Sequence, residues 1–381
     1  MKQACADGSV AFAHVRVGHR QTLIAKNPQR ISVGGFFVLS FHLSWCLIPA
    51  LLILLVGWCF MKSKVLVSLL SDGQVHSGER LAEKLGVSRT AVWKQVRRAL
   101  DEGFDIETVR GRGYRLVTPV DLLDRDDIVK GLPELARSRI SLTVLDEVDS
   151  TNTEVLRQIS MGVVGVPVSI ADSQTMGRGR RGRPWRSPRG ENLYLSAGLT
   201  FHGGFSALDG LSLVLGVVVA DTLEKLGVPG VRLKWPNDIF LSDGKLGGIL
   251  VELQGELQEG VVRVIAGIGI NVHMSRADDV DQPWSSLARI SSQTGWSRNR
   301  IASALISALL ESAETFAENG FSAFRESWQA RDLFKGQHLV AQGGGVIGVG
   351  CGVDGQGNYL VDGEAGVVPI RAGEISLRVA L

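Results

Sequence analysis

The stretch "VRLKWPNDIFLSDGKLGGILVELQ", Val231 to Gln254, reads as strand, loop and strand. Its loop is unusual: Lys234, Trp235, Pro236, Asn237 and Asp238 make a charged, stiff, aromatic corner rather than a bland turn. Lys245 follows beside a pair of glycines, where a ligand could approach the backbone closely. Working outward, strands and helices alternate from about 121 to 332. "SLTVLDEVDSTNTEVLRQI" gives a strand, a polar turn and a helix beginning near Asn152. "VPVSIADSQ" and "ENLYLSAGLTF" read as strands, and "LSLVLGVVVADTLEKLG" as a largely apolar helix. The continuous apolar run of "VVRVIAGIGINV" predicts a buried strand, and "RIASALISALLESAETFAENG" a long amphipathic helix closed by Gly320. The class is α+β, with a mixed sheet in this central part.

Two different patterns flank it. In 61–120, "SGERLAEKLGVSRTAVWKQVRRALDEG" holds two helical patterns separated by "GVS", with Gly86 at a C-cap and Ser88 at an N-cap. Leu81, Leu85, Val87, Val92, Val96 and Leu100 are expected in the core. Ser88, Arg89, Thr90, Lys94, Gln95, Arg97 and Arg98 remain for other contacts. "FDIETVRGRGYRLV" adds two short strands around Arg110 and Arg112. The pattern is a winged helix-turn-helix whose second helix is a candidate reader of the major groove. A helical hairpin with a solvated basic face is the plainer alternative. In 333–381, glycines and short β-branched runs predict a small β-barrel of the SH3 type.

Composition sets limits. An apolar share of 45% and a charged share of 21% exclude wholesale disorder. A net charge of +2 means that any nucleic-acid surface must be a local patch. Cys5, Cys46, Cys59 and Cys351 show no paired spacing, which argues against a disulfide framework or a cysteine zinc site and fits a reducing, cytoplasmic setting. No Lys, Arg, Asp or Glu occurs from Ile31 to Met61, a run long enough to span a bilayer. It lies too far in for a signal peptide. We expect residues 1–60 to be an upstream extension with the working start at Met61, because "MKSKVLVSLLSDG" opens a domain without a linker. A membrane anchor is the alternative.

"QTMGRGRRGRPW", Gln174 to Trp185, packs four arginines and three glycines into one loop. It could be a nucleic-acid-binding tail, a solvated loop, or a lid that orders over an anion. Arginine suits phosphate or carboxylate, and glycine-rich backbone suits a lid. A loop inside an α/β domain favours the lid over a tail. It is no P-loop, and no dinucleotide fingerprint is present. "DSTN", Asp149 to Asn152, alone would read as an N-cap, and Asn271 in "GIGIN" places an amide at the end of a buried strand.

Together and in this order, "DSTN", "GRGRRGRPW", "KWPND", "GKLGGILVE" and "GIGIN" resemble the biotin protein ligases. With the helix-turn-helix in front, the resemblance is to the bifunctional ligases that also repress the biotin operon, and it covers Met61 to Leu381. It implies a biotin/lipoate-ligase fold and a two-step reaction. Biotin and Mg-ATP give biotinyl-5′-adenylate and pyrophosphate; a lysine on the biotin carrier domain of acetyl-CoA carboxylase then takes the biotin. On that resemblance Ser150, Thr151, Asn152 and Gln174 would bind the ureido ring of biotin, while Arg178, Gly179 and Arg180 would close over its carboxylate and the α-phosphate. Lys245 and Arg180 would be catalytic, stabilising charge as it develops. Arg181, Trp185, Asn237, Asp238 and Asn271 would serve the adenylate, and no protein metal site is expected. Operator DNA would be a partner, with a homodimer forming when adenylate is bound.

A lipoate–protein ligase is the nearest alternative enzyme. The arginine loop and the N-terminal domain favour biotin over it. A DNA-binding biotin sensor with little ligase activity is a rival of another class, against which Lys245 and the intact loop speak.

Overall fold

The computed structural model of the chain describes residues 64–381, apart from 118–119, 242–243, 259, 278–279, 281, 291–294, 343–346, 373–375 and 380–381. The apolar run Ile31 to Met61 therefore lies outside the described residues. Among those described, no helix is long and apolar enough to cross a membrane.

Serine hydroxyls set the N-terminal helices. After a helix over 64–70 (α1), Ser77 Oγ accepts from the Arg80 amide at 3.1 Å and starts α2 (Gly78–Leu85). Ser88 Oγ accepts from the Ala91 amide at 3.2 Å and starts α3 (Arg89–Asp101). Between them Gly86 takes φ 62°, the left-handed conformation that ends a helix. The wing is the antiparallel pair β1 (Ile106–Val109) and β2 (Gly113–Leu116). Leu66, Val67, Leu70, Leu81, Val92, Val96, Ala99, Ile106 and Leu116 form a core of their own, with Leu85 and Val87 partly buried against it. Leu100 departs from expectation and is 40% exposed. Each step of four residues advances about 40° beyond a full turn, so the Val92–Val96 line has rotated off the core at 100. Ala99, three residues after Val96, takes the place.

Helices α4 (Arg125–Gly131) and α5 (Glu134–Arg139), which the sequence pattern did not mark, lead into the central sheet. β3 (Ile140–Leu145), α6 (Thr151–Ser160) and β4 (Val166–Ala171) make a parallel βαβ unit. The antiparallel strands β5 (Asn192–His202), β6 (Arg232–Lys234), β7 (Asp238–Leu241), β8 (Gly244–Gln258) and β9 (Val261–Asn271) complete a mixed sheet of order β3-β4-β5-β9-β8-β7-β6. Its apolar face packs against α7 (Leu211–Lys225) and α9 (Arg298–Asn319); α8 (Leu287–Ile290) is a single turn. Phe201 of β5 meets Phe316 of α9 edge to face, with centroids 5.5 Å apart.

Arg298, at the first turn of α9, is 0% exposed. Its guanidinium donates to Asp172 Oδ1 at 2.7 Å, to Asn192 O at 3.1 Å and to Asp121 O at 2.9 Å. Asp121 Oδ2 meets His273 Nε2 at 3.1 Å. Lys64 of α1 stands 3.1 Å from Asp146 and 3.7 Å from Asp172. A ladder of charge thus runs from the winged helix into the sheet, and every buried member has a partner.

After α10 (Arg325–Ala330), strands β10 (His338–Gln342), β11 (Ile347–Val353), β12 (Tyr359–Gly363), β13 (Gly366–Ile370) and β14 (Ser376–Val379) form an antiparallel sheet of order β13-β12-β11-β10-β14, in keeping with an SH3-like barrel. Its buried side chains Leu339, Val353, Tyr359, Val361, Ile370 and Leu377 are continuous with the core of the central sheet. Tyr359 is the pivot. Trp235, Trp328 and Phe334 pack around its ring, and its hydroxyl donates to Asp332 Oδ2 at 2.8 Å. Burial raises the pKa of both the Asp332 carboxyl and the Tyr359 phenol.

Candidate functional site

Alternation along the strands gives the sheet two unlike faces. On β5, Leu193, Leu195, Ala197, Leu199 and Phe201 join the apolar core. The alternate residues Asn192, Tyr194, Ser196 and Gly198 look the other way, Ser196 and Gly198 against α6. Register pairs Ser196 with Gly267 and Tyr194 with Gly269, and it pairs Gly269 with Gly248 and Ile265 with Glu252. The second face is therefore small and polar where the first is branched and apolar. "GIGIN" reads this way: isoleucines in, glycines toward the site.

The glycines make room for particular side chains. A Cβ on Gly267 would stand 2.3 Å from Asn152 Oδ1, and one on Gly269 would stand 2.8 Å from the Trp185 indole. The DSTN turn opens α6 directly onto this floor. Ser150 is the N-cap but makes no capping bond with its side chain, so the plain capping explanation does not account for it. Ser150, Thr151 and Asn152 are each at least 96% buried. Gln174 Oε1 accepts from the Thr151 amide at 2.9 Å and lies 3.2 Å from the Thr151 hydroxyl. Ser196 Oγ donates to Asn152 Oδ1 at 2.6 Å and lies 2.7 Å from Thr151 Oγ1. The result is a buried, directional cluster of polar groups, suited to pocketing a neutral ring that both donates and accepts.

The arginine loop folds back on itself. The Trp185 amide donates to Gly177 O at 2.9 Å, and the Gly179 amide to Arg183 O at 2.7 Å. Arg181 occupies the left-handed region at φ 57° within a short 3₁₀ turn over Arg180–Gly182. Arg180 donates to Asn237 Oδ1 at 3.2 Å. Burial lowers the pKa of its guanidinium; Asp238 opposes that shift, while Arg181 and Arg183 add to it. Lys245 Nζ lies 2.7 Å from Asp238 Oδ1 and 5.4 Å from the centre of the Trp185 ring. The Trp185 Nε1 is buried without a partner. Two cations, an aromatic face and an unspent donor thus converge beside the pocket, an arrangement fit for a bulky anion with a flat ring.

Ser150, Thr151, Asn152, Gln174, Arg178, Gly179, Arg180, Trp185, Asn237, Asp238 and Lys245 all lie around this one face. Asn271 stands at its edge, where its amide donates to Ser285 O at 3.0 Å. The sequence reading passed over Glu252 and Ser196. Glu252 lay inside the quoted "GKLGGILVE" but carried no distinguishing spacing, and only the register of β8 on β9 reveals it. Trp235, expected in an unusual corner, is a core residue whose indole donates to Gly357 O at 3.0 Å. Among the described residues, no group of three or more His, Cys, Asp or Glu side chains could hold a metal ion.

On α3, Arg89, Thr90, Lys94, Arg97 and Arg98 are exposed, and the wing adds Arg110 and Arg112. Ser88 spends its hydroxyl on the cap. Gln95 is half-buried, with Oε1 inside and unpartnered. Trp93 is exposed under the Arg97 guanidinium at 5.3 Å.

Comparison with known proteins matches both regions. A family described as "HTH domain" matches residues 62–115, and the "Biotin/lipoate A/B protein ligase family" matches residues 144–271. The chain is 41% identical over 319 residues to the bifunctional ligase/repressor of Salmonella typhimurium, spanning 83% of this chain and 97% of that one. Its counterpart from Escherichia coli is 40% identical over the same length and the same shares. A solved biotin protein ligase from Aquifex aeolicus, in complex with biotin and ATP, superposes with a TM-score of 0.55 at 32% identity; it covers 63% of this chain and 99% of that one.

Proposed function

Because this chain belongs to the biotin protein ligases of the bifunctional ligase/repressor type, we propose that its polar sheet face carries the ligase chemistry and its α3-and-wing surface carries repression. It is an ATP-dependent biotin–protein ligase and a DNA-binding repressor. The observation that carries the reading is the convergence of Lys245, Arg180 and Trp185 beside the buried pocket of Ser150, Thr151, Asn152 and Gln174.

In the proposed mechanism that pocket takes the ureido ring, while Arg178, Gly179 and Arg180 flank the carboxylate. The carboxylate attacks the α-phosphorus of ATP, and pyrophosphate leaves. The amine of a carrier-protein lysine then attacks the acyl carbon, AMP leaves, and the amine loses a proton. Lys245 stabilises the oxygens on which charge develops in both steps, with Asp238 holding its ammonium in place. Arg181, Trp185, Asn237 and Asn271 serve the nucleotide. Mg²⁺ would arrive on the ATP phosphates, whose oxygens suit a hard cation. The enzyme needs no nucleophile of its own, because adenylation activates the acid and holding both reactants supplies much of the rate.

We further propose domain limits of 61–120, 121–332 and 333–381, action in the cytoplasm, a carrier domain of acetyl-CoA carboxylase as acceptor, and an adenylate-bound homodimer on a two-fold operator. The Lys94→Ala variant should weaken binding to duplex DNA about uniformly across sequences and reduce the salt slope by about 1, as for one lost phosphate contact. Titrations at several salt concentrations check this, and an unchanged slope removes Lys94 from the interface.

Biotin-dependent ATP–pyrophosphate exchange tests the enzyme, with lipoate and no acid as controls. Exchange with biotin alone supports the reading; exchange with lipoate alone transfers the site to the other acid. Arg180→Ala should speed release of preformed adenylate about 10- to 100-fold, the loss of one charge-assisted contact, while unfolding shifts by no more than about 0.5 kcal/mol. Unchanged release in a pulse-chase experiment would remove Arg180 from the adenylate contact.

A further inference from the structure

We propose that Glu252 is a positioning residue: it latches the arginine loop to the start of α6, and so fixes both halves of the site from one carboxylate. Glu252 Oε1 accepts from Arg178 Nε at 3.1 Å, and Oε2 accepts from the second guanidinium nitrogen at 3.0 Å, a two-pronged pairing. The same Oε2 accepts from Asn152 Nδ2 at 2.7 Å. Arg178 in turn donates to Thr153 Oγ1 at 3.2 Å, so the loop is tied to α6 both through Glu252 and directly.

The geometry separates two arginines that look alike in sequence. Arg178 directs three of its nitrogens at Glu252 and Thr153. Arg180, two residues on, bonds Asn237 and stands near the Lys245–Asp238 pair. Arg178 therefore spends its guanidinium on holding the loop, leaving its backbone to flank the carboxylate, and Arg180 faces the anion. Asn152 is fixed in the same way. Its carbonyl oxygen is clamped between Ser196 and the bare Gly267, and its amide nitrogen is turned to Glu252. A carboxylate at 252 thereby also sets which end of the Asn152 amide faces Ser196.

The pairing is about one-third exposed on each side, which suits a latch that opens for substrate better than a permanent strut. The latch is a property of the protein alone. Only its effect on adenylate rests on the ligase reading, and the experiment keeps the two apart. Hydrogen exchange is followed on the full chain without ligand, in wild type, Glu252→Gln, Arg178→Met and the double variant. Each single change should speed exchange of the Gly179 and Trp185 amides at least about fivefold, leaving β5 and β9 unchanged. The double variant should be no faster than the faster single one, because the Arg178–Glu252 pairing that holds the loop is already lost in either. Glu252→Asp should recover part of the protection.

Adenylate release is then measured on the same proteins, and should rise in parallel with loop exchange while KM for biotin changes less than release. Unchanged loop exchange in Glu252→Gln, or effects of the two single changes that simply add, would overturn the latch. A wild type that forms no adenylate would instead defeat the ligase reading, with the exchange data still deciding the latch.

Discussion

Lys245→Ala lowers biotin-dependent ATP–pyrophosphate exchange by about 10²–10³-fold, the scale for removing one preorganised donor from a developing oxyanion. The size follows from the setting. The ammonium is held at 2.7 Å by Asp238 and roofed by the Trp185 ring, so it needs no reorganisation as charge appears. Its side chain is 15% exposed, so water screens it poorly. Lys245→Arg should not restore the rate, because a planar fork cannot replace a compact ammonium between a carboxylate and an indole. Stability should fall far less than activity, since Asp238 keeps contact with solvent at 22% exposure. Exchange rates and unfolding curves on the same preparations check both halves. A loss under about threefold would end the catalytic assignment.

Arg298→Met destabilises the fold by about 3–5 kcal/mol, the range for breaking a buried ion pair from one side. Methionine fills much of the space, so the loss is electrostatic. Asp172, 3% exposed, would lose the guanidinium and keep Lys64 at 3.7 Å, and Asp121 O and Asn192 O would lose their donor. That nearby lysine places the expectation toward the lower end. Asp172→Asn is the milder companion, expected near 1–2 kcal/mol because an amide can still accept from the guanidinium. Urea midpoints decide the matter even if the arginine variant is too unstable to purify. Equal and small effects of both would mean the ladder is not a stabilising element.

The fold was legible wherever one face of an element is apolar. α7, α9, β5 and β9 declare themselves by unbroken or periodic hydrophobic residues, and Ser88 and Gly86 mark real caps. α4 and α5 are short and charged, with a single buried residue each, and gave no periodic signal. Leu100 was misplaced because helical drift over two turns outweighs the simple step of four. At the site, motif residues could be named from sequence but their division of labour could not. Arg178 and Arg180 differ only in what lies across from them, and that is set by how β8 pairs with β9 and with the chain entering β7. Glu252 is one carboxylate among many until the pleat turns it toward Asn152.

Trp235 carries a lesson for anyone who would shorten this chain into a compact labelling reagent. Its indole leaves the corner that presents Asn237 and Asp238, and it finds its acceptor at Gly357, on the far side of the obvious cut at 332. Trimming there would strand a buried N–H and strip Tyr359, together with Phe334, from against Trp235 and Trp328. The terminal barrel is a buttress for the corner that presents Asn237 and Asp238, and a minimal version must keep it or rebuild that wall.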